Sequence, residues 1–125
     1  MRILITLVSF LLFSSCQSDY EENNIAIVIH GGAGTILKEN MTPELESAYL
    51  QKLEEAVKTG YQILQEGGTS QNAVEETIKI MENSPLFNAG VGAVLTNDET
   101  VSLDASFMEG SKLNAGAIAG SKYIK

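Results

Sequence analysis

Ile25-Ala26-Ile27-Val28-Ile29 is an unbroken apolar run of strand length, mostly β-branched and apolar on both faces. Such a run suits a central strand of a sheet covered on both sides. It ends abruptly in His30-Gly31-Gly32-Ala33-Gly34. Thr42 followed by Pro43 then predicts a helix start, a hydroxyl cap with Pro at the first helical position. Leu45, Tyr49, Leu53, Ala56, Val57, Gly60 and Leu64 share one face at helical spacing, and Gly67-Gly68 stops the helix. Thr69-Ser70 offers a second cap. Ala73, Val74, Thr77, Ile78 and Met81 define the buried face of a second helix, with Glu75 and Lys79 paired on its other side. Asn83-Ser84-Pro85 ends it. Beyond, Ala93 to Thr96 and Thr100 to Phe107 predict two strands around a polar turn at Asn97-Asp98-Glu99, and Asn114 to Ala119 predicts a third rich in small residues. This inventory of about four strands and two helices lacks a partner for every apolar face, the mark of the front part of a larger protein.

The pattern changes at the N-terminus. Met1-Arg2 is basic, Ile3 to Phe13 is apolar except for Thr6 and Ser9, and Ser14-Ser15 leads into Cys16. A basic start, a short apolar stretch and small residues describe a secretory signal, too short to span a bilayer comfortably. Leu12-Phe13-Ser14-Ser15-Cys16 resembles a bacterial lipobox, with Phe13 where Leu is usual; in such a segment the cysteine is lipidated and becomes the mature N-terminus. Acyl chains on Cys16 would hold the protein to a membrane without a transmembrane helix. Gln17 to Asn24 is polar and acidic and reads as a tether. The expected organisation is therefore a lipoprotein-type signal peptide over 1–15, a tether over 16–24 and a folded part over 25–125. The expected location is the bacterial cell envelope, periplasmic or surface-exposed.

Composition narrows the chemistry. In 125 residues, 8 basic side chains face 16 acidic ones, a net charge of −8. That length allows one small domain, and the acidity argues against a nucleic-acid surface, which needs clustered Lys and Arg. One cysteine and one histidine exclude an intramolecular disulfide and a zinc site of His and Cys within the chain. A hydrophobic share of 44% is too high for intrinsic disorder.

Three clusters could carry chemistry. Glycines after a buried strand, as in His30-Gly31-Gly32, let backbone N–H groups approach a ligand or an oxyanion. They also suit a plain tight turn. No Gly-Lys-Ser/Thr follows for a phosphate loop and no Gly-x-Ser-x-Gly for a serine hydrolase, so His30 reads as a structural hydrogen-bonder rather than a base. Pro85-Leu86-Phe87-Asn88-Ala89-Gly90-Val91-Gly92-Ala93 reads as an irregular loop whose inward carbonyls suit a hard cation, or as a simple helix-to-strand connection. In Leu103-Asp104-Ala105-Ser106, Asp104 could be catalytic, but an acid within a strand more often bonds the local backbone or pairs across the sheet.

In this order and spacing, the three clusters, with Phe107-Met108-Glu109-Gly110 and Ala115-Gly116-Ala117-Ile118-Ala119-Gly120, resemble the plant-type asparaginases. These form the isoaspartyl peptidase/L-asparaginase branch of the N-terminal-nucleophile hydrolases. The resemblance covers Ile25 to Lys125. It implies an α+β fold, part of a four-layer αββα sandwich incomplete in this chain. It also implies a precursor that cleaves itself to release an N-terminal threonine as nucleophile, its own α-amine serving as base. The implied substrates are the asparagine side-chain amide or a β-aspartyl peptide bond, and the implied assembly is a homodimer of cleaved αβ units.

By position, His30, Gly31 and Gly32 lie near the cleavage site, and Asn88 matches the family asparagine close to the nucleophile. The segment from Met81 to Val91 resembles a sodium-binding loop. Its ligands would be the backbone carbonyls of Met81, Glu82, Ser84, Phe87, Ala89 and Val91, around a structural cation rather than a catalytic cofactor. The family's Gly-Asp-Thr-Val-Gly-like segment is not in this chain, and none of Thr35, Thr42, Thr59, Thr69, Thr77, Thr96 or Thr100 stands in a matching context. No nucleophile is therefore assigned here; it would belong to a C-terminal β-subunit. Two expectations follow: the N-terminal part of a lipid-anchored amidohydrolase, inactive alone, or a non-catalytic surface lipoprotein remnant of that family.

Overall fold

The computed structural model describes residues 24–32 and 37–122. Cys16, the signal segment and the tether through Asn23 lie outside the described residues, as do Ala33 to Ile36.

Both expected helices form where their caps place them. Helix α1 spans Pro43–Gln65, with the Thr42 hydroxyl accepting from the Leu45 N–H. It ends in a Schellman arrangement: Gly68 N–H reaches the Ile63 carbonyl and Gly67 N–H the Leu64 carbonyl, with Gly67 at φ 81°. Helix α2 spans Ser70–Glu82, capped by the Thr69 hydroxyl on Asn72 N–H. The Glu75–Lys79 pair is present at 2.7 Å, and Glu76 joins it at 2.9 Å. Hydrogen bonds donated to Glu75 and Glu76 hold the Lys79 ammonium charged well above the ordinary lysine range. Among the described residues, no helix is long and apolar enough to cross a membrane.

The two helices cross at small residues. Ala56 and Gly60 of α1 and Ala73 and Thr77 of α2 are buried, and a Cβ on Gly60 would collide with the Thr77 hydroxyl and with Ile27. Thr77 satisfies its own hydroxyl on the Ala73 carbonyl at 2.7 Å. Below this crossing, Ala56, Met81 and Phe87 form the core, with Ile29, Tyr49, Leu53, Ile80 and Leu86 packed around them.

The Ile25–Ile29 run differs from expectation in an informative way. Its burial alternates residue by residue, with Ile25, Ile27 and Ile29 turned toward the protein and Ala26 and Val28 outward. Val28 is 92% exposed. The run carries no strand assignment, because among the described residues no neighbouring strand ladders with it. One face is covered as expected of a central strand, and the other is bare.

The later strands are also redrawn. Ala93 to Thr96 is irregular, and strand β1 begins at Leu103 rather than Thr100, running Leu103–Glu109. The polar turn between them forms: Thr96 N–H donates to the Thr100 carbonyl at 2.7 Å, and Glu99 N–H to the Thr96 carbonyl at 3.0 Å. Strand β2, Asn114–Ser121, extends two residues past expectation and pairs antiparallel with β1, Phe107 opposite Gly116 and Ala105 opposite Ile118. The Gly110–Leu113 turn joining them is organised by Glu109, whose carboxylate accepts from Ser111 and Lys112 N–H at 2.8 and 3.0 Å. Hydrogen bonding from Ser111, and from the Lys112 backbone, holds that carboxyl below its usual range. Helices and a two-stranded sheet thus agree with the α+β expectation.

Candidate functional site

The His30 loop and the loop after α2 meet. From Gly31, an added Cβ would stand 3.3 Å from Leu53 Cδ2 and 3.6 Å from Phe87 Cε1, so the backbone at Gly31 lies directly over those side chains. Phe87 is 4% exposed and is followed by Asn88. Two of the sequence clusters, separated by more than fifty residues, are therefore neighbours at one end of the core.

His30 itself is exposed, and its Nδ1 accepts the Gly32 N–H at 3.1 Å. His30 thus makes a local hydrogen bond within its own turn. Asn88 is exposed, and its side-chain Oδ1 accepts the Val94 N–H at 3.0 Å. That contact fixes which end of the amide is used and leaves the NH2 group as its donor end.

The loop from Asn83 to Gly92 is folded on itself. Ser84 is buried and its hydroxyl accepts the Leu86 N–H at 3.3 Å. Ala89 N–H donates to the Phe87 carbonyl at 2.8 Å and Gly92 N–H to the Ala89 carbonyl at 3.0 Å. Gly90 adopts φ 52°, and a Cβ there would strike the Glu82 carbonyl oxygen. A Cβ on Gly92 would meet the carbonyl oxygens of Phe87 and Pro85. Carbonyls crowd toward these two glycines because there is no side chain to keep them out. Of the six expected ligands, Phe87 and Ala89 use their oxygens on Ala89 and Gly92 N–H groups, each keeping a second lone pair, while the Met81 carbonyl accepts from both Asn83 and Ser84 N–H. Glu82 is half-buried at the end of α2, and Val91 is exposed. Neutral carbonyl oxygens are the ligand type that hard cations prefer. No cluster of three or more His, Cys, Asp or Glu suited to another metal occurs among the described residues.

Asp104 takes the structural alternative: its Oδ1 accepts the Gly120 N–H at 2.9 Å across the hairpin, beside the register irregularity between Leu103 and Ala105. The described threonines are likewise spent on local structure. Thr42 and Thr69 cap helices, Thr59 and Thr77 bond carbonyls one turn back, and Thr96 and Thr100 hold their turn. Sequence reasoning missed Tyr49, whose hydroxyl donates to the Leu86 carbonyl at 2.6 Å. On the helical face it reads simply as one more apolar position. Nothing local announces a partner 37 residues away.

The chain belongs to the asparaginase family, whose sequence profile matches residues 23–125. Among its relatives is the isoaspartyl peptidase of Salmonella typhimurium, 45% identical over 103 residues, which cover 82% of this chain and 33% of that protein. Another is the plant-type L-asparaginase of Pyrococcus furiosus, 49% identical over 101 residues, covering 81% of this chain and 31% of that protein. The isoaspartyl peptidase of Escherichia coli is 44% identical over 99 residues, covering 79% and 31%. The chain thus spans about a third of the length of the curated relatives it matches.

Proposed function

We propose that this chain is the N-terminal part of an amidohydrolase that cleaves the asparagine side-chain amide or β-aspartyl peptide bonds. The observation that carries the reading is the meeting of His30-Gly31-Gly32 with Phe87-Asn88 over Leu53, in a chain matched by the family along its whole folded part. The nucleophile is a threonine beyond Lys125, freed at a new N-terminus when the precursor cleaves itself. A threonine hydroxyl is a poor nucleophile until an amine accepts its proton, and the α-amine created by that cleavage is such a base. The hydroxyl oxygen then bonds the amide carbon, ammonia or the peptide amine leaves with a proton, and water hydrolyses the resulting ester to aspartate.

In this chain, Asn88 and the His30-Gly31-Gly32 turn position the cleavage site. The carbonyls of Met81, Glu82, Ser84, Phe87, Ala89 and Val91 hold a sodium ion that stiffens the loop carrying Asn88. Exposed apolar surface supports the four-layer sandwich: Phe107, Ala117 and Ile118 line a cleft of about 620 Å³ facing Val74 and Ile78 of α2, and Met108 and Ala115 are exposed outside that cleft. A sheet that carries apolar side chains on both sides suits an inner layer. The missing layers come from a C-terminal β-subunit, cleaved units pair as a homodimer, and Cys16 carries the lipid that holds the protein to the cell envelope.

Purified whole protein tests the reading. Self-cleavage into two chains, with aspartate released from β-aspartyl dipeptides or from asparagine, is expected. An intact chain that releases no aspartate overturns it and leaves the non-catalytic lipoprotein reading.

A further inference from the structure

We infer that Tyr49 is a positioning residue that latches the carbonyl loop, and with it Asn88, onto helix α1. Its hydroxyl donates to the Leu86 carbonyl at 2.6 Å, while its ring meets Phe87 edge-on, centroids 5.7 Å apart at 79°. The same residue therefore grips the loop twice, by a hydrogen bond and by an aromatic contact. Phe87 in turn underlies Gly31, so Tyr49, Phe87 and Gly31 form one connected stack from α1 through the carbonyl loop to the His30 turn.

Among the described residues, the rest of the loop's hydrogen bonding is short-range. Ser84 to Met81, Leu86 to Ser84, Ala89 to Phe87 and Gly92 to Ala89 are all contacts within a few residues. Such bonds shape a loop without fixing it against the body of the protein. Asn88 Oδ1 anchors its far end to Val94, six residues on and also outside the helices. Tyr49 supplies the long-range tie, and a half-buried carbonyl that loses its donor is costly to leave unpaired. The consequence for catalysis rests on the amidohydrolase reading; the latch itself does not.

Tyr49→Phe in the whole protein separates these elements, because it keeps the ring against Phe87 and removes only the hydroxyl. Amide exchange over residues 84–94 is expected to quicken about three- to ten-fold, the worth of one hydrogen bond, with residues 56–65 of α1 unchanged. The sodium concentration giving half the thermal stabilisation rises by a similar factor, and kcat for aspartate release falls while KM holds. Tyr49→Leu, which loses the ring contact as well, quickens loop exchange further. Unchanged exchange over 84–94 in Tyr49→Phe, or an increase spread evenly over both helices, overturns the latch. A wild-type protein with no response to sodium removes the cation reading, and one with no aspartate release removes the amidohydrolase reading; in either case the exchange data still decide the latch.

Discussion

The hairpin strands are richer in apolar residues than the helical half of the chain, yet they bury fewer of them. Around α1, α2 and the loop to Gly92, residues Ala56, Gly60, Ala73, Thr77, Met81, Ser84 and Phe87 are all buried. In β1 and β2 none is, and Met108 and Ile118 stand 67% and 59% exposed. The helices complete each other through contacts close in sequence. The hairpin has satisfied its own backbone ladder but found no layer to cover its faces, a state that sheets rarely tolerate in isolation. The outward side of the Ile25–Ile29 run, with Val28, tells the same story from the other end of the chain.

Several substitutions in the whole protein sharpen that contrast. Phe87→Ala should have the largest effect, about 3–5 kcal/mol by chemical denaturation, because it empties the centre of the core. Phe107→Ala should follow at about 3 kcal/mol if a layer covers the hairpin, although its ring is partly open in this chain. A cost under about 0.5 kcal/mol, typical of surface positions, would break the comparison. Gly60→Ala should cost about 1–3 kcal/mol by forcing α1 off Thr77 and Ile27.

The smallest effect belongs to Glu109. Its carboxyl is held below the usual range in the folded turn, so the stability it adds is full above the ordinary carboxylate pKa and is lost as pH falls through the lowered value. The Ser111 and Lys112 amide resonances should shift in that acid window, and Glu109→Gln should abolish the transition.

The sequence patterns most easily read were those whose causes are local. Thr42-Pro43 and Thr69-Ser70 announce their helices because a cap and a first turn are neighbours in the chain, and Gly67-Gly68 marks the stop for the same reason. Asp104 was open to two readings, and the cross-strand bond to Gly120 is the one that the structural reading expects. Val74 and Ile78, expected to be buried with the rest of their face, are exposed: the helical stripe is wider than the surface α1 covers, and their side faces the cleft toward the hairpin. The Ala93 to Thr96 stretch has strand-forming residues but no partner, and propensity alone does not make a ladder. Tyr49 and the Gly31–Phe87 contact were beyond sequence reasoning, since both depend on how distant segments cross.

Hydroxyl-radical footprinting of the whole protein tests most directly whether the bare faces are interior ones. Val28, Met108 and Ile118 should be labelled far less than their exposure in this chain would give, while Leu50, 61% exposed on the outer side of α1, should label freely. Labelling of Val28, Met108 and Ile118 as strong as that of Leu50 would contradict the account, leaving the hairpin and the first run as surfaces rather than as inner layers.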